Sequence, residues 1–394
     1  MTPNFESNGW QAVVADRFTF ANLRLVTQAI CNHIRDLQSV IDNFPPRLVT
    51  GFDNRFMGQH FSEVATEVIL DNGLDVFMAD RSAPTPVVSF MISEYATTAA
   101  LVITGGDEGA QYNGVKLITS RMAIASEDTT RQIEAELEQL TQMKHPLQVT
   151  ASKGEKKLCN PKQGYFRHIQ SMIDLEQVKG ISDGVLVDYL HGIASGYLRE
   201  ILRQVGGNIQ ECQNSALYDF GGINPTLFTD NFTDFHREMA HQSELKMGLM
   251  IDGDGTNLQV FDGDGQLVSH GDIFALIVDY SIRDKEKIDG IVKPTQRHDL
   301  AEKVAQHHEV PIYFSQTSDF RVMTTHMVQD MANLAADGLG GYAFEGHIME
   351  RDALFTSLLL MEILAVRQCS LTEAIADVYQ RYTPETVETD QNEN

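Results

Sequence analysis

This chain has no run of about 18 apolar residues, the length that a membrane-crossing helix needs. Its first ten residues, MTPNFESNGW, carry neither the basic segment nor the apolar segment of a secretory leader. No CxxC pair occurs. The four cysteines (Cys31, Cys159, Cys212 and Cys369) stand apart, so a disulfide scaffold is excluded and reduced thiols in a cytoplasmic protein are expected. Basic residues are scarce, 30 Lys and Arg against 55 Asp and Glu, for a formal charge of -25. A surface of that sign repels nucleic acid and anionic lipid. It also suits a phosphorylated ligand poorly unless one pocket is locally positive.

What the chain does have is the pattern of a layered α/β protein. Its 394 residues, 42% of them hydrophobic, suffice for two to four domains with real cores. The apolar run at residues 47–52 predicts a buried strand. Phe61, Val64, Ala65, Val68 and Ile69 then follow at the spacing of one helix face, and Gly73 ends that helix. A second strand is predicted over 74–79, a second helix opens at Pro84-Thr85-Pro86, and a third strand covers 100–104. This order implies a largely parallel sheet with helices on both faces. Strands at 185–189, 208–212 and 246–251, around helices at 192–205 and 229–241, repeat the pattern. A third round runs from Ile288 to a long helix at 351–367. We therefore expect three α/β units, at 1–155, 165–268 and 270–380, and an acidic disordered tail at 383–394.

Seven short segments occur in order. They are Asn8-Gly9-Trp10-Gln11, Gly51-Phe52-Asp53-Asn54-Arg55, Ala83-Pro84-Thr85-Pro86, Tyr112-Asn113-Gly114-Val115-Lys116, Phe220-Gly221-Gly222-Ile223-Asn224-Pro225, Asp252-Gly253-Asp254 and Gly346-His347-Ile348-Met349-Glu350-Arg351-Asp352. Together they resemble the α-D-phosphohexomutase family, the phosphoglucomutases and phosphomannomutases. The resemblance implies three consecutive similar α/β domains with mixed, largely parallel sheets, followed by a smaller fourth domain.

The same resemblance exposes departures. The family's catalytic loop reads T-A-S-H-N-P, and its phosphate-carrying serine aligns here with Gly106, followed by Asp107. Mutase chemistry needs a nucleophile that carries a phosphoryl group, and glycine has no side chain to carry one. Asp107 and Glu108 beside it repel phosphate, each by on the order of 4 kcal/mol at 4 Å in an effective dielectric of about 20. The family's metal loop D-G-D-x-D-R becomes Asp252-Gly253-Asp254-Gly255-Thr256-Asn257, which keeps two metal carboxylates and loses the third along with the arginine. The sugar loop G-E-E-S-G becomes Ala336-Asp337-Gly338-Leu339-Gly340, and the arginine of G-W-R becomes Gln11. No R-x-S-G-T phosphate loop of a fourth domain is found.

From the resemblance, Asp107 and Lys116 are the catalytic candidates, Asp337 and His347 the substrate-binding ones, and Asp252 and Asp254 the metal ligands. Each has a plainer alternative: a lysine paired with a surface carboxylate, a satisfied buried histidine, and two aspartates serving a tight turn. No cofactor is expected, and Mg²⁺ only weakly. The leading expectation is a phosphohexomutase-like pseudoenzyme that binds a protein partner in assembly or regulation. A sugar-phosphate-binding sensor and a divergent mutase-type enzyme of carbohydrate metabolism are the alternatives. An exposed apolar patch on the helix near 356–366, or on the methionine-rich segment 323–331, would mark a docking face.

Overall fold

The parallel strands read from the sequence form the centres of three sheets. The first holds β1 (Trp10–Val13), β2 (Arg47–Phe52), β3 (Asp75–Ala79), β4 (Ala99–Ile103), β5 (Tyr112–Thr119) and β6 (Lys156–Cys159), in the spatial order β1-β5-β4-β2-β3-β6. Strands β4, β2, β3 and β6 run parallel, while β1 and β5 are antiparallel additions. The second sheet joins β7 (Val185–Asp188), β8 (Gln210–Cys212), β9 (Met247–Ile251) and β10 (Leu258–Asp262) in the order β10-β9-β7-β8. The third joins β11 (Ile291–Pro294), β12 (Ile312–Ser315), β13 (Leu334–Ala336) and β14 (Tyr342–Phe344) in the order β12-β11-β13-β14. These come from a computed structural model that describes residues 3–38, 46–143, 150, 152–227, 231–242, 244–285, 288–295 and 300–383. Apart from Thr383, the tail expected to be disordered lies outside the described residues.

All three units share one device. After a parallel strand (β4, β9 or β13) the chain makes a polar loop and returns antiparallel as β5, β10 or β14. The three loops, 104–111, 252–257 and 337–341, therefore leave the carboxyl ends of equivalent strands.

Two expectations need correction, and one open alternative is decided. The first unit does not end at 155, because β6 completes its sheet by pairing with β3. The polar residues there belong to an exposed edge strand rather than to a linker. The helix expected over 192–205 is only Tyr197–Arg203. Leu190 and His191 take left-handed φ values of 48° and 54°, so the chain turns before it can wind. The helix near 356–366, weighed as a docking face, takes its plainer reading as an ordinary core helix. Every residue from Ala353 to Leu364 is buried, and that helix packs on the second unit's helices Leu175–Ser182 and Tyr197–Arg203. A helix apolar on all sides has to be enclosed in this way. Met323 and Met327 are likewise buried, while Val328 and Met331 are exposed on that segment. Among the described residues, no single helix is long and apolar enough to cross a membrane.

Candidate functional site

The three loops meet in a cavity of about 350 Å³, lined by Asp107, Asp252, Asn257, Asp337, Leu339 and Arg351 among others. The carboxyl ends of parallel strands are where α/β sheets take ligands. Of the candidates, Asp107, Asp252 and Asp337 line it, while Lys116, Asp254 and His347 do not.

Arg55, in the turn after β2, fixes the first loop. Its Nε donates to Asp53 at 3.0 Å, Nη1 to the carbonyls of Gly109 and Tyr112, and Nη2 to those of Gly106 and Glu108 at 2.8 and 2.6 Å. All five donors of one guanidinium are thus spent on shaping the loop. Asp53 also accepts from Thr104 Oγ1 at 2.6 Å, and Thr104 in turn accepts from the Gly106 amide. Burial raises the Asp53 pKa, against the pull of Arg55. Gly106 sits at φ 59°, and a Cβ built on it would lie 2.8 Å from Gln11 Nε2. The first group a side chain at 106 would meet is therefore the Gln11 amide, the free end of a flexible side chain. Glu108 is raised by burial and then by Asp107.

The second loop is a closed hydrogen-bond circuit. Lys116 Nζ donates to Asp254 Oδ2 at 2.7 Å, and Thr85 Oγ1 donates to the same oxygen at 2.6 Å. Thr256 Oγ1 lies 2.8 Å from Asp254 Oδ1 and 3.0 Å from Asp252 Oδ2. Asp252 also accepts from the Thr256 amide at 2.8 Å and from Asn257 Nδ2 at 2.6 Å. Burial, followed by Asp254 and Asp107, pushes Asp252 up to about 7. Burial acts the same way on Asp254, but the Lys116 charge and three hydrogen bonds outweigh it and hold that group down at about 2.

Mg²⁺ wants an open octahedron of oxygen lone pairs. Here every oxygen of both carboxylates already faces a protein N–H, O–H or ammonium. Among the described residues, no three His, Cys, Asp or Glu side chains are grouped to hold a metal. The donor set does not fit Mg²⁺. Lys116 is paired as its plainer reading held, but that pair is buried, with side chains 1% and 0% exposed, rather than on the surface.

In the third loop, Asp337 accepts from the amides of Leu339 and Gly341 at 2.7 and 2.9 Å, which fixes the turn, and burial raises its pKa. Leu339 is 61% exposed at the rim. The cation facing the cavity is Arg351. It reaches Asn8 at 2.7 Å, Asn257 at 3.4 Å and Glu350 at 3.1 Å, so it ties all three units together. His347 points elsewhere, with Nε2 2.7 Å from Asp352 Oδ2.

Family models for phosphoglucomutase/phosphomannomutase α/β/α domains I, II and III match residues 2–144, 163–265 and 270–382 in turn. The chain belongs to the phosphoglucomutase/phosphomannomutase family. A Thermococcus kodakarensis phosphoglucomutase/phosphomannomutase is 24% identical over 88% of this chain and 75% of its own length. Human phosphoglucomutase-like protein 5 is 22% identical over 88% and 67%. Among solved structures, a Burkholderia thailandensis member of the family superposes with a TM-score of 0.79 at 19% identity, covering 95% of this chain and 79% of that one. A Paramecium phosphoglucomutase, the exocytosis-sensitive phosphoprotein parafusin, does so with 0.79 at 18%, covering 97% and 75%. At those identities the likeness shows the fold.

Within that phosphohexomutase fold, sequence reading missed two residues that organise the site. Arg55 and Arg351 were both inside quoted motifs, and an arginine that survives in a chain this poor in bases was the available signal. Their burial could not be read from the sequence, because it depends on carbonyls and amides brought in from other units.

Proposed function

We propose that this chain is a phosphohexomutase-like pseudoenzyme: a mutase scaffold without mutase turnover, serving as a binding, assembly or regulatory factor for a protein partner in a reducing cytoplasm. The observation that carries the reading is Gly106. The loop that would present a phosphorylated nucleophile holds a glycine there, with the Gln11 amide beside it. The Lys116–Asp254 circuit supports it, since the carboxylates of the metal loop are already satisfied. The cleft charge points the same way, because Arg351 is neutralised by Glu350 and Asp337.

The test is incubation with glucose 1,6-bisphosphate and Mg²⁺, followed by intact-mass measurement and a coupled assay for glucose 6-phosphate. An unmodified mass and no turnover are expected. A stable gain of one phosphoryl group, or turnover above buffer, overturns the reading. One observation favours a second reading, a sugar-phosphate sensor: the 350 Å³ cavity is preserved and Arg351 faces it. A ligand that binds only the folded state raises the melting temperature, so a shift with hexose phosphates but no turnover would select it.

A further inference from the structure

A second cavity, of about 180 Å³, opens at the junction of the first unit, the helix Pro161–Met172 and the 346–349 loop of the third unit. It shares no lining residue with the cleft. We propose that it is a binding site for a small protonated oxyanion of the hydrogen phosphate class, gripped by Arg121, His168 and His347.

The case begins with two imidazoles. His347 is 2% exposed, its Nε2 is engaged with Asp352, and its Nδ1 is buried with no hydrogen-bond partner. His168 Nε2 is buried and unpartnered as well. The two rings lie within 7° of parallel with centroids 5.1 Å apart, and both line the cavity. Buried polar atoms in native proteins are nearly always satisfied, and exceptions call for a missing partner. Two such atoms on one cavity wall indicate a ligand.

The chemistry of that ligand follows from the lining. Asp352 accepts from Tyr165 Oη at 2.7 Å and from the Phe355 amide at 2.9 Å, and its carboxylate can only accept. His347 Nε2 therefore donates, and Nδ1, whenever it carries no proton of its own, is a lone pair that needs a donor. Burial holds the His168 ring down at about 4, so near neutral pH it is uncharged and offers either an N–H or a lone pair. At the mouth stand Arg121, exposed and without a carboxylate partner among the described residues, and the Ser93 hydroxyl. No carboxylate lines this cavity, in a chain with a formal charge of -25. A group with anionic oxygens for Arg121 and one O–H for His347 Nδ1 satisfies the whole wall. Hydrogen phosphate has both, whereas sulfate has the charge and lacks the O–H. Asp352 also caps the helix Ala353–Arg367, and Arg351 precedes it, so a ligand here would brace the segment that carries Arg351 into the cleft.

The experiment is ¹⁵N NMR of the histidine rings in the full chain, titrated with inorganic phosphate and separately with sulfate at pH 7. His168→Phe assigns one ring. Saturable shifts of the His168 and His347 ring nitrogens with phosphate, which sulfate fails to reproduce, are expected. Arg121 is exposed, so Arg121→Gln keeps the fold, and it should weaken phosphate binding by about tenfold through loss of one charge-assisted pair. Unmoved ring nitrogens overturn the proposal. So do equal shifts from sulfate, and so does an Arg121→Gln variant that binds phosphate as well as the parent.

Discussion

A serine at position 106 would meet the far end of the Gln11 side chain, which can swing aside, but it would also have to hold a left-handed backbone. Its Cβ would fall 2.8 Å from Gln11 Nε2 on a backbone held at φ 59°. That left-handed conformation alone costs a non-glycine residue about 1 kcal/mol or more. Gly106→Ser should therefore lose about 1–2 kcal/mol in urea denaturation and show no mutase turnover in the coupled assay; turnover from this single change would contradict the assignment of an emptied site. Lys116 offers the complementary case. Removing one partner of a buried ion pair typically costs about 3–5 kcal/mol, because the other charge is left uncompensated. Lys116→Met should lose stability on that scale and should also strip Asp254 of the cation paired with it, although Thr85 still donates to the same oxygen. The uncompensated carboxylate then attracts Mg²⁺: the ion is expected to raise the melting temperature of the variant and leave that of the parent unchanged. A parent chain stabilised by millimolar Mg²⁺ would show that the carboxylate circuit opens for metal after all.

At the scale of elements, the loop at 104–111 is held in place because one side chain fixes three of its carbonyls and that of Tyr112 just beyond it. A lysine at 55 supplies fewer donors and no planar fork, and each buried carbonyl left unpaired costs about 1–3 kcal/mol. Arg55→Lys is expected to accelerate amide hydrogen exchange across 105–111 well beyond any change in β4 or β5. Equal acceleration throughout would mean that the loop has no stability of its own to lose. Much of this architecture was legible in the sequence. The run 47–52, the helix face from Phe61 to Ile69 and the Pro84-Thr85-Pro86 start are local signals, and the structure places elements there. The motifs at Asp53, Tyr112 and Asp252 marked two of the three loops in the cleft. The direction of the antiparallel returns β5, β10 and β14 was not legible, because periodicity cannot tell which way a strand runs. The approach of Gln11 to Gly106 was also beyond reach, since it depends on β1 pairing with β5, an edge contact made between residues about 100 positions apart. For His347 the sequence offers a substrate-binding role or a satisfied buried histidine; one of its ring nitrogens is satisfied and the other is not, and neither lines the cleft.

At the scale of the whole molecule, the surplus of acid should set the pH at which the fold is most stable. Folded Asp252 keeps its proton up to about 7, against an ordinary value of 3.8. Between those values the folded state holds a proton that the unfolded chain has released. The contribution is therefore full below about pH 4 and is lost as pH rises through 7. Asp188, pushed up to about 6 by burial, acts in the same direction. Asp254 acts oppositely: held at about 2, it stabilises above its ordinary 3.8 and loses that contribution as pH falls toward 2. The diffuse repulsion of a chain at -25 also grows with pH, but it is screened by salt, which shortens the reach of exposed charges to about 3 Å at 1 M while sparing buried ones. The two sources can thus be separated. The melting temperature is expected to be higher at pH 5.5 than at pH 8. High salt should narrow that gap only in part, and Asp252→Asn should remove much of what remains, because the amide takes no part in the titration. A gap that salt abolishes entirely would assign the pH dependence to the surface. A parent chain more stable at pH 8 than at 5.5 would mean that Asp252 is ionised in the fold, its hydrogen bonds from Thr256 and Asn257 outweighing its burial.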